Sequence, residues 1–142
     1  MAKYMLIMRN SESVENYEDM DFETIINAMG AYNESMLKAG VMVGGEGLTD
    51  ASQGSVVEFT GEAPVVTDGP YGETHELFNG YWILETATKE EAVEWACRAP
   101  LGPGNKIEVR RVTDESDFAD YADNEYIQKE KEWRAQEAAA AE

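Results

Sequence analysis

Cationic residues are scarce in this chain. Only 11 Lys and Arg stand against 29 Asp and Glu in 142 residues, a formal net charge of −18. A field of that sign repels phosphate backbones, which argues against nucleic acid and against anionic membrane surfaces as partners. Long apolar runs are missing too: none approaches the ~20 residues that span a bilayer. The opening residues Met1 to Arg9 are apolar only briefly, with neither an extended apolar core nor a small-residue cleavage site, so a cytoplasmic protein is expected. The lone cysteine, Cys97, excludes an internal disulfide and suits a reducing compartment. The lone histidine, His75, leaves little for a zinc site, and no metal or other cofactor is expected. What remains, 43% hydrophobic and 28% charged, is the balance of one folded domain.

The chain reads as a sequence of short extended segments and two core helices. Tyr4, Met5, Leu6, Ile7 and Met8 form an unbroken apolar run, the pattern of a strand covered on both faces. Phe22, Ile25, Ile26, Met29, Tyr32, Met36 and Leu37 recur at helical spacing, with Asp19 or Asp21 as cap and Gly40 as the left-handed terminator. Val41 to Val43 is extended, and Gly44-Gly45-Glu46-Gly47 bends the backbone near a sheet edge. A phosphate loop is disfavoured there, because no Gly-Lys-Ser/Thr follows and the helix precedes the glycines. Val56 to Phe59 and Val65-Val66 predict a hairpin, and Tyr81 to Leu84 a second strand apolar on both sides. Thr88-Lys89-Glu90-Glu91 is a capping box opening the second helix, in which Cys97 is expected as a small buried hydrophobe. Tyr81, Trp82 and Trp95 are expected in the core rather than in a ligand cage. Lys106 to Val112 is the last strand.

That order predicts an α+β fold, a ferredoxin-like sandwich built from split βαβ units with both helices on one face of the sheet. Two helices cover only one face, yet two strands are apolar on both. A second copy is the expected cover, making the protein a homodimer or higher homo-oligomer. The composition changes after Thr113. The chain therefore divides into a domain over 1–113 and a helical extension over 114–142, in which Phe118, Tyr121, Ala122, Tyr126 and Trp133 fall near one helical face.

Residues 66–76, Val-Thr-Asp-Gly-Pro-Tyr-Gly-Glu-Thr-His-Glu, followed by Gly80-Tyr81-Trp82, resemble the signature of the YCII-related proteins, in the branch named for an Asp-Gly-Pro-Phe (DGPF) motif. Gly44 to Leu48 and Glu90 to Ala96 resemble its flanking features, and the similarity runs from about Lys3 to Val112. The resemblance implies a dimeric α+β barrel of ferredoxin-like subunits. It also implies a pocket with acidic and histidine residues for which an enzymatic role has been proposed, and an association of the branch with extracytoplasmic-function sigma factors. Two positions depart from the branch. Tyr71 replaces Phe, and His75 stands where Lys is common, a group whose ordinary pKa lies about four units higher.

Asp68 and His75, seven residues apart across the turn, are the candidate catalytic acid–base pair. A carboxylate orients an imidazole, and histidine titrates near neutrality. The alternative is a turn-forming Asp68 with a solvated His75. Arg9 and Arg110 are candidate substrate-binding residues, able to hold a carboxylate in bidentate geometry, with Glu46, Tyr71 and Glu73 beside them. The alternative for the arginines is a salt-bridge network with Glu46, Asp68 and Glu73. Arg110 and Arg111 are adjacent on a strand, so only one serves a given pocket. Two functions stay open: a small-molecule-binding protein with cofactor-free acid–base chemistry, or a non-catalytic interaction or regulatory module whose partner is a sigma factor or another protein surface that tolerates acidic charge. The second predicts an exposed apolar face along Phe118, Tyr121 and Tyr126.

Overall fold

The computed structural model describes residues 1–10, 21–69 and 77–141. The chain separates into two units, Met1–Arg111 and Val112–Glu142. The first holds β1 (Ala2–Asn10), α1 (Phe22–Lys38), β2 (Met42–Gly47), β3 (Ser55–Phe59), β4 (Pro64–Asp68), β5 (Leu77–Thr86), α2 (Lys89–Cys97) and β6 (Asn105–Arg111). It is a mixed α+β unit. Four strands form an antiparallel sheet in the order β2-β5-β1-β6, and β3 and β4 pair separately as a hairpin.

The local signals act where the sequence places them. Asp21 accepts from the Glu23 N–H at the start of α1, while Asp19 lies outside the described residues. At the other end Gly40 takes φ +73°, and Val41 and Gly40 donate to the Met36 and Leu37 carbonyls. This is a Schellman closure, and its hydrophobic element is the buried Val41. Thr88 caps α2 by accepting from the Glu91 N–H, but the Glu91 carboxylate reaches back one residue further than a capping box requires, to the Ala87 N–H at 3.1 Å. The Gly44-Gly45-Glu46-Gly47 stretch does not leave the sheet. It continues β2 along the sheet edge, and the bend is a register irregularity between Met42 and Gly44.

Strand alternation sorts the side chains. Tyr4, Leu6, Trp82 and Leu84 are buried and join Tyr32 and Met36 of α1, Val41, and Ala92 of α2 in one core, and Thr86 is buried on the same strand face. Trp82 and Tyr32 meet edge to face, ring centroids 5.4 Å apart. Each finds a polar partner as buried aromatics must: the Trp82 indole donates to Asn33 at 2.9 Å and the Tyr32 hydroxyl to the Trp95 carbonyl at 2.8 Å. Burial pushes the Tyr32 hydroxyl up to about 12, against the opposing pull of the Arg98 charge.

Three expectations are corrected. Cys97 is exposed, because in the last turn of α2 it falls off the Ala92–Trp95–Ala96 stripe that faces the core. Tyr81 is not a core residue. It alternates with Trp82 and so lies on the opposite sheet face. In the second unit no single helix carries Phe118, Tyr121, Tyr126 and Trp133. A 3₁₀ segment over Glu115–Tyr121, capped by Asp114 and kinked at Phe118, ends before Asn124 caps α3 (Glu125–Ala140). Two caps in ten residues start two separate helical segments. No helix among the described residues is long and apolar enough to cross a membrane.

Candidate functional site

The sheet face turned away from α1 and α2 gathers the polar chemistry of the first unit. Pairing sets its rows: Met5 lies between Ile83 and Arg110, and Ile7 between Tyr81 and Glu108. Arg9 is paired with Lys106, and Lys3 with Glu85. At the edge, Glu46 is paired with Tyr81. A register shift between Met8 and Arg9 sets Arg9 opposite Phe78 and leaves Asn79 as the extra residue of a bulge. The bulge brings Phe78 onto the same face as Tyr81, where the rings stack at 6.4 Å with planes 20° apart.

Glu108 is the hinge of this arrangement. Its carboxylate lies 3.5 Å from Arg9 and 3.8 Å from Arg110, one anion between two guanidiniums. Sequence reasoning offered Glu46, Asp68 and Glu73 as acceptors for the arginines and did not include Glu108; Glu73 lies outside the described residues. The signal was present in β6 as a period-two pattern: Lys106, Glu108 and Arg110 on one face, Ile107 and Val109 on the other. The Arg110 side chain remains 71% exposed and makes no hydrogen bond among the described residues. Arg111 pairs with Tyr4 and belongs to the row on the helix side. Ile7, Arg9, Leu77, Phe78 and Glu108 line a shallow depression of about 420 Å³. Arg9, Glu46 and Arg110 thus share one sheet face.

The predicted acid–base pair is placed only in part. Asp68 ends β4 and accepts from the Ser55 hydroxyl at 3.0 Å, its cross-strand partner in the hairpin. Gly69 follows at φ +81° and donates to the Gly54 carbonyl at 2.7 Å, which fixes the base of the hairpin. Tyr71, Glu73 and His75 lie outside the described residues. Among those described, no three His, Cys, Asp or Glu side chains converge to hold a metal ion.

Two glycines are crowded on the helix side of the sheet, opposite the site. A Cβ on Gly80 would lie 2.8 Å from the Glu46 carbonyl oxygen and 2.7 Å from the Met8 methyl, and one on Gly45 would lie 3.0 Å from both Trp82 and the Tyr81 carbonyl oxygen. These contacts account for Gly45 and Gly80 without any phosphate, while a Cβ at Gly44 or Gly47 would meet nothing within 4 Å.

The chain is similar to an uncharacterized protein of Rhizobium meliloti (strain 1021), 23% identical over 94 residues that cover 66% of this chain and 76% of that protein. The model of the YCII-related domain matches residues 2–116, which span the sheet, both core helices, the hairpin and the arginine-bearing face, and the chain therefore belongs to the YCII-related family.

Proposed function

We propose that the protein is a homodimer that binds a small organic carboxylate on the open sheet face, in the manner of a DGPF-branch YCII protein working in the cytoplasm. The strand order β2-β5-β1-β6, with β1–α1–β2 and β5–α2–β6 as interleaved crossovers, supports a ferredoxin-like subunit. Pairing of two such subunits through their open faces is the dimeric α+β barrel. The observation that carries the binding reading is the Arg9–Glu108–Arg110 cluster beside an apolar floor of Met5, Ile7 and Ile83. Among the described residues, four of the chain's eleven cations, Lys3, Arg9, Lys106 and Arg110, share this face with Glu46, Glu85 and Glu108. In a chain of net charge −18 it is a locally cationic surface. A carboxylate replacing water at Arg110 gains charge-assisted hydrogen bonds, and the Phe78–Tyr81 stack offers a flat apolar wall for the rest of the molecule.

Acid–base chemistry by Asp68 and His75 is the reaction proposed for such a ligand. NMR titration of His75, the only histidine, tests it: a pKa above the ordinary value that falls in Asp68→Asn supports the coupled pair, and the same ordinary value in both proteins refutes it. For binding, calorimetry against a panel of aromatic and aliphatic carboxylates is the test. A ligand bound by the wild type and lost in Arg110→Ala supports the reading; affinity unchanged in Arg110→Ala refutes it.

A second reading has its own observation. Tyr121, Tyr126 and Trp133 are more than half exposed and Phe118 is 41% exposed, the surface required of an interaction or regulatory module with a sigma factor as partner. Retention of that partner after removal of residues 114–142 counts against this reading.

A further inference from the structure

The β3–β4 hairpin is the least covered part of the first unit. Every position of β3 is exposed, and in β4 all but Thr67. Val56, Val57, Val65 and Val66 lie between 39% and 63% exposed and Phe59, beside the turn, reaches 82%. An isolated two-stranded hairpin is at best marginally stable in water, and one that shows apolar residues on both faces lacks its packing partner. The subunit's own open sheet face is apolar at its centre, where Met5, Ile7 and Ile83 are half-buried, yet the hairpin, exposed along its length, does not fold onto it.

Charge identifies the occupant that fits. Residues 55–68 contain Glu58, Glu62 and Asp68 and no Lys or Arg; no Lys or Arg occurs anywhere between Lys38 and Lys89. The open sheet face holds Lys3, Arg9, Lys106 and Arg110 around Met5, Ile7 and Ile83. One surface is apolar and purely acidic, the other apolar and the most cationic on the sheet. The two match in chemistry, and among the described residues the hairpin does not pack on the sheet face of its own chain. The hairpin also leaves the sheet beside the cluster: the Leu48 N–H donates to the Asn79 carbonyl at 2.9 Å, one residue from Phe78, which pairs with Arg9. Two copies related by a two-fold axis through their open faces would each send a hairpin toward the other's cations, since in such an interface each contact is made twice.

We infer that the β3–β4 hairpin is an arm exchanged between subunits, whose tip, with Phe59, Glu58 and Glu62, lies over the partner's open sheet face and closes the carboxylate site there. The site of each subunit is then incomplete without the other copy. This rests on the dimer reading above and adds which segment closes the pocket.

The test uses the full chain with Cys97→Ser as background. One population carries Phe59→Cys and an affinity tag; the other carries Ile7→Cys or Arg110→Cys. After mixing, a short bis-maleimide is added and chains are separated under denaturing conditions, with sedimentation run in parallel. The expected result is a dimer in solution and a covalent product joining the two different chains. A dimer without that product overturns the arm and leaves the face-to-face dimer standing. Linkage within a single chain, in the variant carrying both cysteines, overturns it as well. A monomer at micromolar concentration overturns both readings. Phe59→Lys gives an independent check: because the side chain is 82% exposed the subunit stays folded, and self-association is expected to weaken about tenfold or more. Unchanged association overturns the arm.

Discussion

The Tyr32 hydroxyl donates to the Trp95 carbonyl oxygen at 2.8 Å, tying α1 to α2 across 63 residues of sequence. Its folded-state pKa, pushed up to about 12 by burial, lies above the ordinary value of 10.0. The folded protein therefore holds the proton more tightly than the unfolded chain. The contribution is complete below pH 10 and is lost as pH rises toward 12. Urea melts of the wild type should show stability falling across that window, with a shallower fall in Tyr32→Phe. At neutral pH the same substitution removes one of two donors to the Trp95 carbonyl, which keeps the Arg98 N–H at 3.0 Å, and should cost about 1 kcal/mol.

Gly80 faces backbone on its crowded side, where the Glu46 carbonyl oxygen and the Gly47 Cα cannot rotate away. Gly80→Ala should therefore cost about 1–3 kcal/mol, the range of overpacking in a filled interior. Gly47→Ala, with nothing within 4 Å of its added Cβ, is the matched control and should fall well below that. Thermal or urea unfolding of the two variants side by side reads the difference.

Thr88→Ala removes the acceptor of the Glu91 N–H and should cost about 1 kcal/mol. Because the Glu91 carboxylate independently holds the Ala87 N–H, Glu91→Ala should add a smaller loss. Chemical denaturation of the two single variants and the double variant gives their coupling.

Truncation after Thr113 should leave the first unit folded, since every buried core residue and every partly buried hydrophobic packed on it falls between Ala2 and Val109. Circular dichroism and a cooperative melt check it. Loss of cooperativity would mean that residues 114–142 complete the fold.

Much of the α+β architecture was legible because it rests on local signals: the run at Tyr4–Met8, the stripe from Ile25 to Met36, the stop at Gly40, the cap at Thr88. The two-faced strands were equally informative, since Met5, Ile7 and Ile83 lie on the sheet face turned away from α1 and α2. What sequence order cannot display is adjacency across a sheet. Arg9 and Glu108 are 99 positions apart and meet only because β1 and β6 are neighbours. The same blindness assigned Tyr81 to the core with Trp82, although alternation alone separates them. Cys97 was misjudged by its small size, when its angular position on α2 decides its exposure.

The Leu48–Asn79 hydrogen bond holds the two ends of everything between them. From that anchor the chain makes its excursion through the hairpin and returns, so only Leu77 and Phe78 of that stretch pair into the four-stranded sheet. Lengthening such a closed loop is cheap: each doubling costs about 0.6 kcal/mol in closure entropy. Relatives can then change what they recognise by exchanging this cassette, with its length, charge and aromatic tip free to vary, while the arginine-bearing sheet beneath keeps its register.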